Sequence, residues 1–213
     1  LYKGDLIIAS TSWVSYTPQA TILDRNIHWI NTTYENKWLI QPEEFISIAE
    51  ENGLNTTIGD WVLKAAIEQL RKWLDMGLPP IAIAVNLSKS HFQQDDLVQN
   101  LARILTEYEV EPQFLELEIT ETAMMYDTDR ALQIVRELKE MGVKIALDDF
   151  GTGYSSLIHL KLFPIDKLKI DQMFILNADF KARDGVIISS IIDMCHKLNI
   201  QAVAEGIETK DSL

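Results

Sequence analysis

Apolar side chains recur every three or four residues in four stretches of the chain. These are "IGDWVLKAAIEQLRKWLDMG", "DDLVQNLARILTEY", "DTDRALQIVRELKEMG" and part of "ARDGVIISSIIDMCHKLN". The spacing predicts four amphipathic helices. Asp127 or Thr128 is the expected N-cap of the third helix, and Gly77 and Gly142 mark the ends of the first and third. The apolar face of the first helix comprises Val62, Leu63, Ala66, Ile67, Leu70, Trp73 and Leu74.

Short runs with strand character lie between these helices: "IAIAVNLS", "LELEIT", "VKIALDD", "KLKID" and "QAVAEG". The resulting βαβα order predicts an α/β fold with a parallel sheet and covering helices. No Pro/Gly/Ser-rich linker, low-complexity tract or internal repeat divides the sequence. We therefore expect a single domain over residues 1–213.

Side chains alternate between the two faces of each predicted strand. One face carries bulky apolar residues that would pack beneath the helices, and the other is small or polar. This pattern is typical of the inside of a barrel whose working end is lined with polar groups. In the first run Ile81, Ile83, Val85 and Leu87 lie opposite Ala82, Ala84, Asn86 and Ser88; in the second, Leu115, Leu117 and Ile119 lie opposite Glu116, Glu118 and Thr120.

Polar side chains suited to a divalent metal stand late in these strands. The C-terminal ends of parallel strands converge on one site in α/β folds. Carboxylate and amide oxygens are the ligands that Mg²⁺ and Mn²⁺ prefer. The histidines form no HxH or HExxH spacing, which disfavours a zinc hydrolase. The candidate residues are Asn86, Glu118, Asp148, Asp149, Lys169 and Glu205.

The charge of the chain restricts its partners. A formal net charge of −13 and the lack of a Lys/Arg stripe argue against a nucleic-acid polymer. A phosphate ligand would need a metal ion to approach so acidic a site. Two metal ions could stabilise both the attacking and the leaving oxygen of a phosphodiester displacement.

Each candidate also has a structural interpretation that the residues alone leave open. An acidic pair before glycines, as in "DDFGTG", is often a solvated turn. Glu118 could lie on an exposed strand face, Lys169 could be a solvated lysine, and Asn86 could cap a turn. The functional interpretation is favoured because every member falls at the same end of a separate predicted strand.

Cysteine usage and hydropathy bear on the compartment. Cys195 is the only cysteine, which excludes a disulfide framework and fits a reducing compartment. No apolar run approaches the roughly 18 residues of a membrane span, and no signal peptide is visible. We expect a cytoplasmic domain, whose parent protein could be membrane-tethered. Because the sequence begins with Leu1 rather than Met, we expect a fragment of a longer protein.

Five segments resemble the bacterial EAL domain family, TIM-like (β/α)8 barrels that hydrolyse cyclic di-GMP. The segments are "IQPEEFISIAEENGLNTTIGDWVLKAA", "AVNLS", "LELEITET", "VKIALDDFGTGYSSLIHLKLFPIDKLKID" and "VAEGIET". They cover most of the chain, from Ile40 to Thr209. The run from Asp148 through Asp171 is the most specific part of the match.

The resemblance implies a role for each matching residue. Lys169 and Glu205 would assist catalysis at the metal-bound water or the phosphate, and Glu121 would hold the "DDFGTGY" loop. Asp171 and Ser88 would contact the substrate. The expected reaction opens cyclic di-GMP to linear pGpG by metal-activated water, with two Mg²⁺ or Mn²⁺ ions. The implied metal ligands are Asn86, Glu118, Asp148, Asp149 and Asp24.

The chain departs from the family pattern at both ends. The family's Glu-Ala-Leu signature is replaced by "LDRNIHW", where Asp24 stands for the metal-binding Glu and His28 for a phosphate-contacting Arg. Residues 1–39 are therefore expected to form divergent N-terminal strands. The sequence stops at Leu213, before the segment that closes the family's barrel, so we expect an incomplete barrel without its C-terminal strand and helix.

These departures leave two main functions open, beside a pure protein-interaction module that has lost the ligand too. The first is a metal-dependent cyclic di-GMP phosphodiesterase, and the second is a degenerate EAL domain that binds cyclic di-GMP without hydrolysing it. The resemblance also implies a homodimer through the loop at residues 148–156. A flanking sensory or regulatory domain is expected in the parent protein.

Overall fold

The computed structural model describes residues 6–9, 27–30, 55–151, 157–176 and 183–207. The chain divides into two compact units, Leu1–Thr57 and Ile58–Leu213. In the first unit, strands β1 (Leu6–Ala9) and β2 (Ile27–Ile30) pair in parallel. The expectation of a single domain over residues 1–213 stays a prediction.

The second unit is built on a five-stranded parallel sheet. Its strands are β3 (Ile83–Leu87), β4 (Leu115–Thr120), β5 (Lys144–Phe150), β6 (Lys167–Ile170) and β7 (Gln201–Ala204). The described helices are α1 (Asn55–Asp75), α2 (Leu97–Glu107), α3 (Glu121–Met125), α4 (Thr128–Met141), α5 (Leu157–Leu162), α6 (Gln172–Leu176) and α7 (Arg183–Leu198). Short 3₁₀ turns cover His91–Gln93 and Pro112–Phe114.

The order of the strands identifies the architecture. Each strand pairs with the next one along the chain, in the order β3-β4-β5-β6-β7. A doubly wound open sheet would instead reverse its order at a switch point. Sequential parallel pairing with a helical connection at each step is the arrangement of a TIM-like barrel. The sheet is thus part of such a barrel, as the sequence predicts.

The two faces of the sheet differ as the alternation predicts. Leu115, Leu117 and Ile119 are fully buried on the helix side of β4. The prediction is wrong for Ile81, which precedes β3 and is 54% exposed. Ile83 pairs in register with Leu115, the first residue of β4, so no residue of β4 lies opposite Ile81.

The helices begin and end close to where their caps predict. The Asp127 side chain accepts a hydrogen bond from the Arg130 N–H at 3.1 Å, so Asp127 rather than Thr128 is the N-cap of α4. Gly142 ends the same helix with φ of 99°, a left-handed conformation that favours glycine. Val62, placed on the apolar face of α1, is 37% exposed and lies at the edge of that face.

None of the helices in the described residues combines the length and the apolar character that a bilayer crossing requires.

We expect Asp127→Ala to lower the free energy of unfolding by about 1 kcal/mol, because the Arg130 N–H loses its cap acceptor. Chemical denaturation of both proteins measures the difference. Asp127→Asn is the matched control, since its amide oxygen keeps the acceptor. Equal losses in both variants would show that the cap hydrogen bond is not the cause.

Candidate active site

The ammonium group of Lys169 binds three carboxylates from three other parts of the sheet. Its Nζ atom lies 2.8 Å from Glu205 Oε1, 2.9 Å from Asp148 Oδ1 and 3.2 Å from Glu118 Oε2. Glu118 is on β4, Asp148 on β5 and Lys169 on β6, while Glu205 directly follows β7. We call Glu118, Asp148, Asp149, Lys169 and Glu205 the Lys169 cluster.

A bulge in β5 brings the second aspartate to the same place. Leu147 pairs with Leu168 and Phe150 with Ile170, so two residues of β5, Asp148 and Asp149, lie opposite the single residue Lys169. Asp149 has φ of 53°, in the left-handed region that aspartate tolerates better than most residues. Its backbone N–H donates to Asp148 Oδ1 at 3.0 Å. The strand therefore turns at Asp149.

The carboxylates of Asp148, Asp149 and Glu205 have the composition of a hard-cation site. One oxygen from each lies within 4.8 Å of the others. Burial raises the pKa of Asp149, and the charges of Asp148, Asp171 and Glu205 raise it further against the opposing charge of Lys169. A divalent cation among these oxygens would relieve the repulsion. The oxygen-only donor set therefore fits Mg²⁺ or Mn²⁺.

Lys169 remains charged in this environment. Burial lowers the pKa of its ammonium group, but hydrogen bonds to Glu205, Asp148 and Glu118 raise it more, so the pKa lies above its ordinary value. The Lys169 side chain is only 14% exposed. A lysine held in this way donates hydrogen bonds and supplies positive charge, and it cannot act as a base at neutral pH.

A second ion pair lies one layer deeper on the same face of the sheet. Lys167 Nζ lies 2.6 Å from Glu116 Oε1, and Glu116 is buried. These residues precede Lys169 and Glu118 by two positions, which places each pair on the same strand face. The sequence predicts Glu116 and Glu118 on one face of the strand, but the contact of Glu116 with Lys167 was not predicted. The equal offset of two residues from Glu118 and from Lys169 was the signal that could have found it.

The structure also describes the surroundings of three further candidate residues, Asn86, Ser88 and Asp171. Asn86 pairs in register with Glu118 and is exposed. The Ser88 hydroxyl contacts Ser90 Oγ and His91 Nδ1 at 2.7 and 2.8 Å. Asp171 accepts a hydrogen bond from the Met173 N–H at 2.7 Å, at the start of α6, and its charge also acts on Asp149.

The roles implied for Glu121, for Asp24 and for the "DDFGTGY" loop stay predictions. Glu121 is buried at the start of α3 and lines a small cavity with Leu147 and Phe150 on the helix side of β5. Asp24 lies outside the described residues, as do residues 152–156 of the "DDFGTGY" loop. Asp24 as a metal ligand therefore stays a prediction.

Two glycines with positive φ allow the chain to pass close to α6 beside the cluster. Gly206 follows Glu205 directly and has φ of 74°, and a Cβ there would lie 2.6 Å from Gln172 Cβ. Gly151 follows the β5 bulge and has φ of 100°, and a Cβ there would overlap the Phe174 ring. Both glycines thus fix the path of the chain next to a carboxylate of the cluster.

We expect Lys169→Met to lower the free energy of unfolding by about 3 kcal/mol near neutral pH, because it leaves like charges without their cation. The loss should shrink as the pH falls, because the pKa of Asp149 is already raised and loses the opposing charge of Lys169 in the variant, so that this carboxyl group takes up a proton. Urea denaturation between pH 5 and pH 8 measures both effects. Lys161→Met, at an exposed lysine of α5, is the charge-matched control. A pH-independent loss would contradict the explanation.

Comparisons with known proteins agree with this architecture. The EAL domain family model matches residues 17–213. The bifunctional diguanylate cyclase/cyclic di-GMP phosphodiesterase MucR of Pseudomonas aeruginosa is 45% identical over 172 residues, which are 81% of this chain and 25% of MucR. The cyclic di-GMP phosphodiesterase NbdA of the same species is 37% identical over 202 residues, 93% of this chain and 26% of NbdA.

The chain thus spans about a quarter of the length of these relatives. A solved structure, the PaMucR phosphodiesterase in its c-di-GMP complex, superposes with a TM-score of 0.75 at 44% identity, covering 82% of this chain and 76% of that one. Since the family model covers nearly the whole sequence, this chain belongs to the EAL domain family.

Proposed function

We propose that this chain is a cyclic di-GMP phosphodiesterase domain that opens cyclic di-GMP to linear pGpG. The observation that carries the proposal is the Lys169 cluster, in which carboxylates from adjacent strand ends surround one lysine. Support also comes from MucR and NbdA, which are named as cyclic di-GMP phosphodiesterases. The PaMucR structure is of a c-di-GMP complex.

The proposed metal ligands are the oxygens of Asn86, Glu118, Asp148, Asp149 and Asp24. They would hold two divalent cations, Mg²⁺ or Mn²⁺. When bound, these ions lower the pKa of water and neutralise charge on the phosphodiester. The chain's net charge of −13 makes such neutralisation necessary for an anionic substrate.

Lys169 and Glu205 have complementary parts in this proposal. Lys169 stays protonated, so it holds the carboxylates in place and offsets charge that develops on the phosphoryl oxygens. Glu205 has the most exposed side chain of the three carboxylates paired with Lys169, at 34%. It is therefore the group best placed to accept the proton of the attacking water.

The reaction balances as a hydrolysis. The water oxygen forms a bond to phosphorus while the bond from phosphorus to the 3′ oxygen breaks. The 3′ oxygen takes up a proton, and the product is a linear dinucleotide with a 5′ phosphate. Ser88 and Asp171 are the proposed substrate contacts. Glu121, which lines a small cavity with Leu147 and Phe150, is the residue proposed to hold the "DDFGTGY" loop.

The partners and setting follow from the same proposal. The loop at residues 148–156 is the proposed contact with a second copy of the chain. A sensory or regulatory domain would flank residues 1–213, which we propose to be one functional domain in the cytoplasm. MucR and NbdA are about four times longer than the matched region, which leaves room for such domains.

One observation favours a second candidate, a cyclic di-GMP receptor without turnover. In "LDRNIHW", Asp24 is one methylene shorter than the Glu of the family signature, and His28 replaces an Arg. A shorter ligand shifts a bound ion away from the geometry that catalysis needs. Such a site could bind the ligand and leave the phosphodiester intact.

Turnover distinguishes the two candidates. We expect the protein to convert cyclic di-GMP to pGpG with Mn²⁺ or Mg²⁺. Chromatography measures the pGpG formed, and a calorimetric titration measures the binding of cyclic di-GMP. Asp148→Asn should lower the rate by at least about a hundredfold, because it removes a proposed metal ligand. Asp193→Asn, at an exposed aspartate of α7, is the charge-matched control.

Tight binding without product would instead support the receptor. Absence of both product and binding heat would contradict both candidates.

A further inference from the structure

We infer that His91 is a positioning residue for this site: its neutral imidazole holds Ser88, and with it the end of β3 that carries Asn86. The inference rests on the proposed function, which places Asn86 and Ser88 at the metal ions and the substrate. His91 follows β3 in a 3₁₀ turn and is 1% exposed. The proposal depends on which ring nitrogen accepts and on what supports the ring from behind.

The contacts to Ser88 fix the protonation of the ring. The backbone N–H of Ser88 points at His91 Nδ1 at 3.1 Å. An N–H can only donate, so Nδ1 is the unprotonated acceptor and the ring hydrogen is on Nε2. The Ser88 hydroxyl lies 2.8 Å from the same nitrogen and 2.7 Å from Ser90 Oγ. One acceptor thus secures both the backbone and the side chain of Ser88.

Helix α1 supports the ring from the other side. A Cβ at Gly59 would overlap His91 Cε1 and Nε2, so the imidazole lies directly against the backbone of α1. Only glycine leaves this space, although Gly59 lies inside a helix, where it is unfavourable. The close approach joins α1 to the segment that follows β3.

Asp60 of α1 acts on the imidazole of His91 through its charge. His91 Nε2 and Asp60 Oδ1 are both buried, and neither has a hydrogen-bond partner among the described residues. With the hydrogen on Nε2, His91 Nε2 is a donor and Asp60 Oδ1 is an acceptor. Burial lowers the pKa of His91, against the opposing charge of Asp60 and the backbone of Ser88. The ring therefore stays neutral, as its contact with the Ser88 N–H requires.

The consequence for the site follows from the register of β3. Asn86 pairs with Glu118, a member of the Lys169 cluster, and Ser88 is two residues further along the chain. Along its length β3 pairs with β4, and the pairing ends at Leu87, one residue before Ser88. The C-terminal end of β3 therefore depends on His91 as well as on β4 for its position.

Two substitutions at His91 separate positioning from packing. His91→Asn places an amide oxygen where Nδ1 accepts, whereas His91→Leu has similar bulk without an acceptor. We expect the leucine variant to lose roughly tenfold in kcat with little change in KM, and the asparagine variant to retain activity within about threefold of wild type. His196→Asn, at an exposed histidine of α7, is the matched control.

Equal activity of the two His91 variants would overturn the inference. NMR of the ring nitrogens of the wild-type protein gives a test independent of activity. We expect the Nε2–H form between pH 6 and pH 8, and the Nδ1–H form would also overturn the inference. Slower hydrogen exchange of the Ser88 amide in the asparagine variant than in the leucine variant is the expected structural signature.

These measurements keep the two proposals apart. If the wild-type protein neither binds nor hydrolyses cyclic di-GMP, the proposed function fails, and the ring form and the Ser88 exchange still decide whether His91 holds this strand end. If His91→Leu does not fold, the protonated ring nitrogen of wild-type His91 and the activity of His91→Asn decide whether the inference holds. Loss of activity in His91→Asn, with the fold intact, would overturn the inference.

Discussion

One lysine inside an acidic protein organises the polar face of the sheet. Lys169 is the cation that allows Glu118, Asp148 and Glu205 to lie within hydrogen-bonding distance of a single point. Without it, three carboxylates on neighbouring strands would repel one another, and each would gain by taking up a proton or turning toward solvent. The position of each carboxylate, and hence any metal chemistry at this edge, depends on that ammonium group.

The alternation of side chains along the strands places Lys169 on the inward face of the sheet, one layer above the Glu116–Lys167 pair. The apolar residues of β4 face the helices and are fully buried, so the alternate residues face inward by strand geometry alone. The pair Glu116 and Lys167 fills the layer beneath and is satisfied by its own hydrogen bond. A polar interior of this kind is stable because its charges are paired in layers, and the outermost layer keeps more carboxylates than cations. A divalent ion would neutralise this local excess of negative charge.

Much of this arrangement can be predicted from the sequence, and the features that cannot be predicted have physical reasons. Helix periodicity, the Asp127 cap and Gly142 predict α4, and strand alternation predicts which face of β4 carries the apolar residues that pack under the helices, because these features depend on residues close in sequence. The short helix α3 was not predicted, since five residues are too few for a periodic pattern. Nor does local pattern reveal that Gly59 makes room for His91, because the two residues meet only when α1 packs against the 3₁₀ turn that follows β3. The contacts of Lys169 likewise depend on the register between strands, which sequence patterns leave open.

The bulge in β5 has a consequence for how the sheet tolerates change. An uninterrupted ladder between β5 and β6 would have one residue fewer between Leu147 and Phe150, and would present one carboxylate opposite Lys169 instead of two. A deletion there would give a more regular sheet with a less acidic edge, and an insertion would move Phe150 out of the core. The length of this segment therefore decides how many carboxylates lie opposite Lys169. At this position the chain can have either a regular ladder or two adjacent carboxylates opposite Lys169, and it has the two carboxylates.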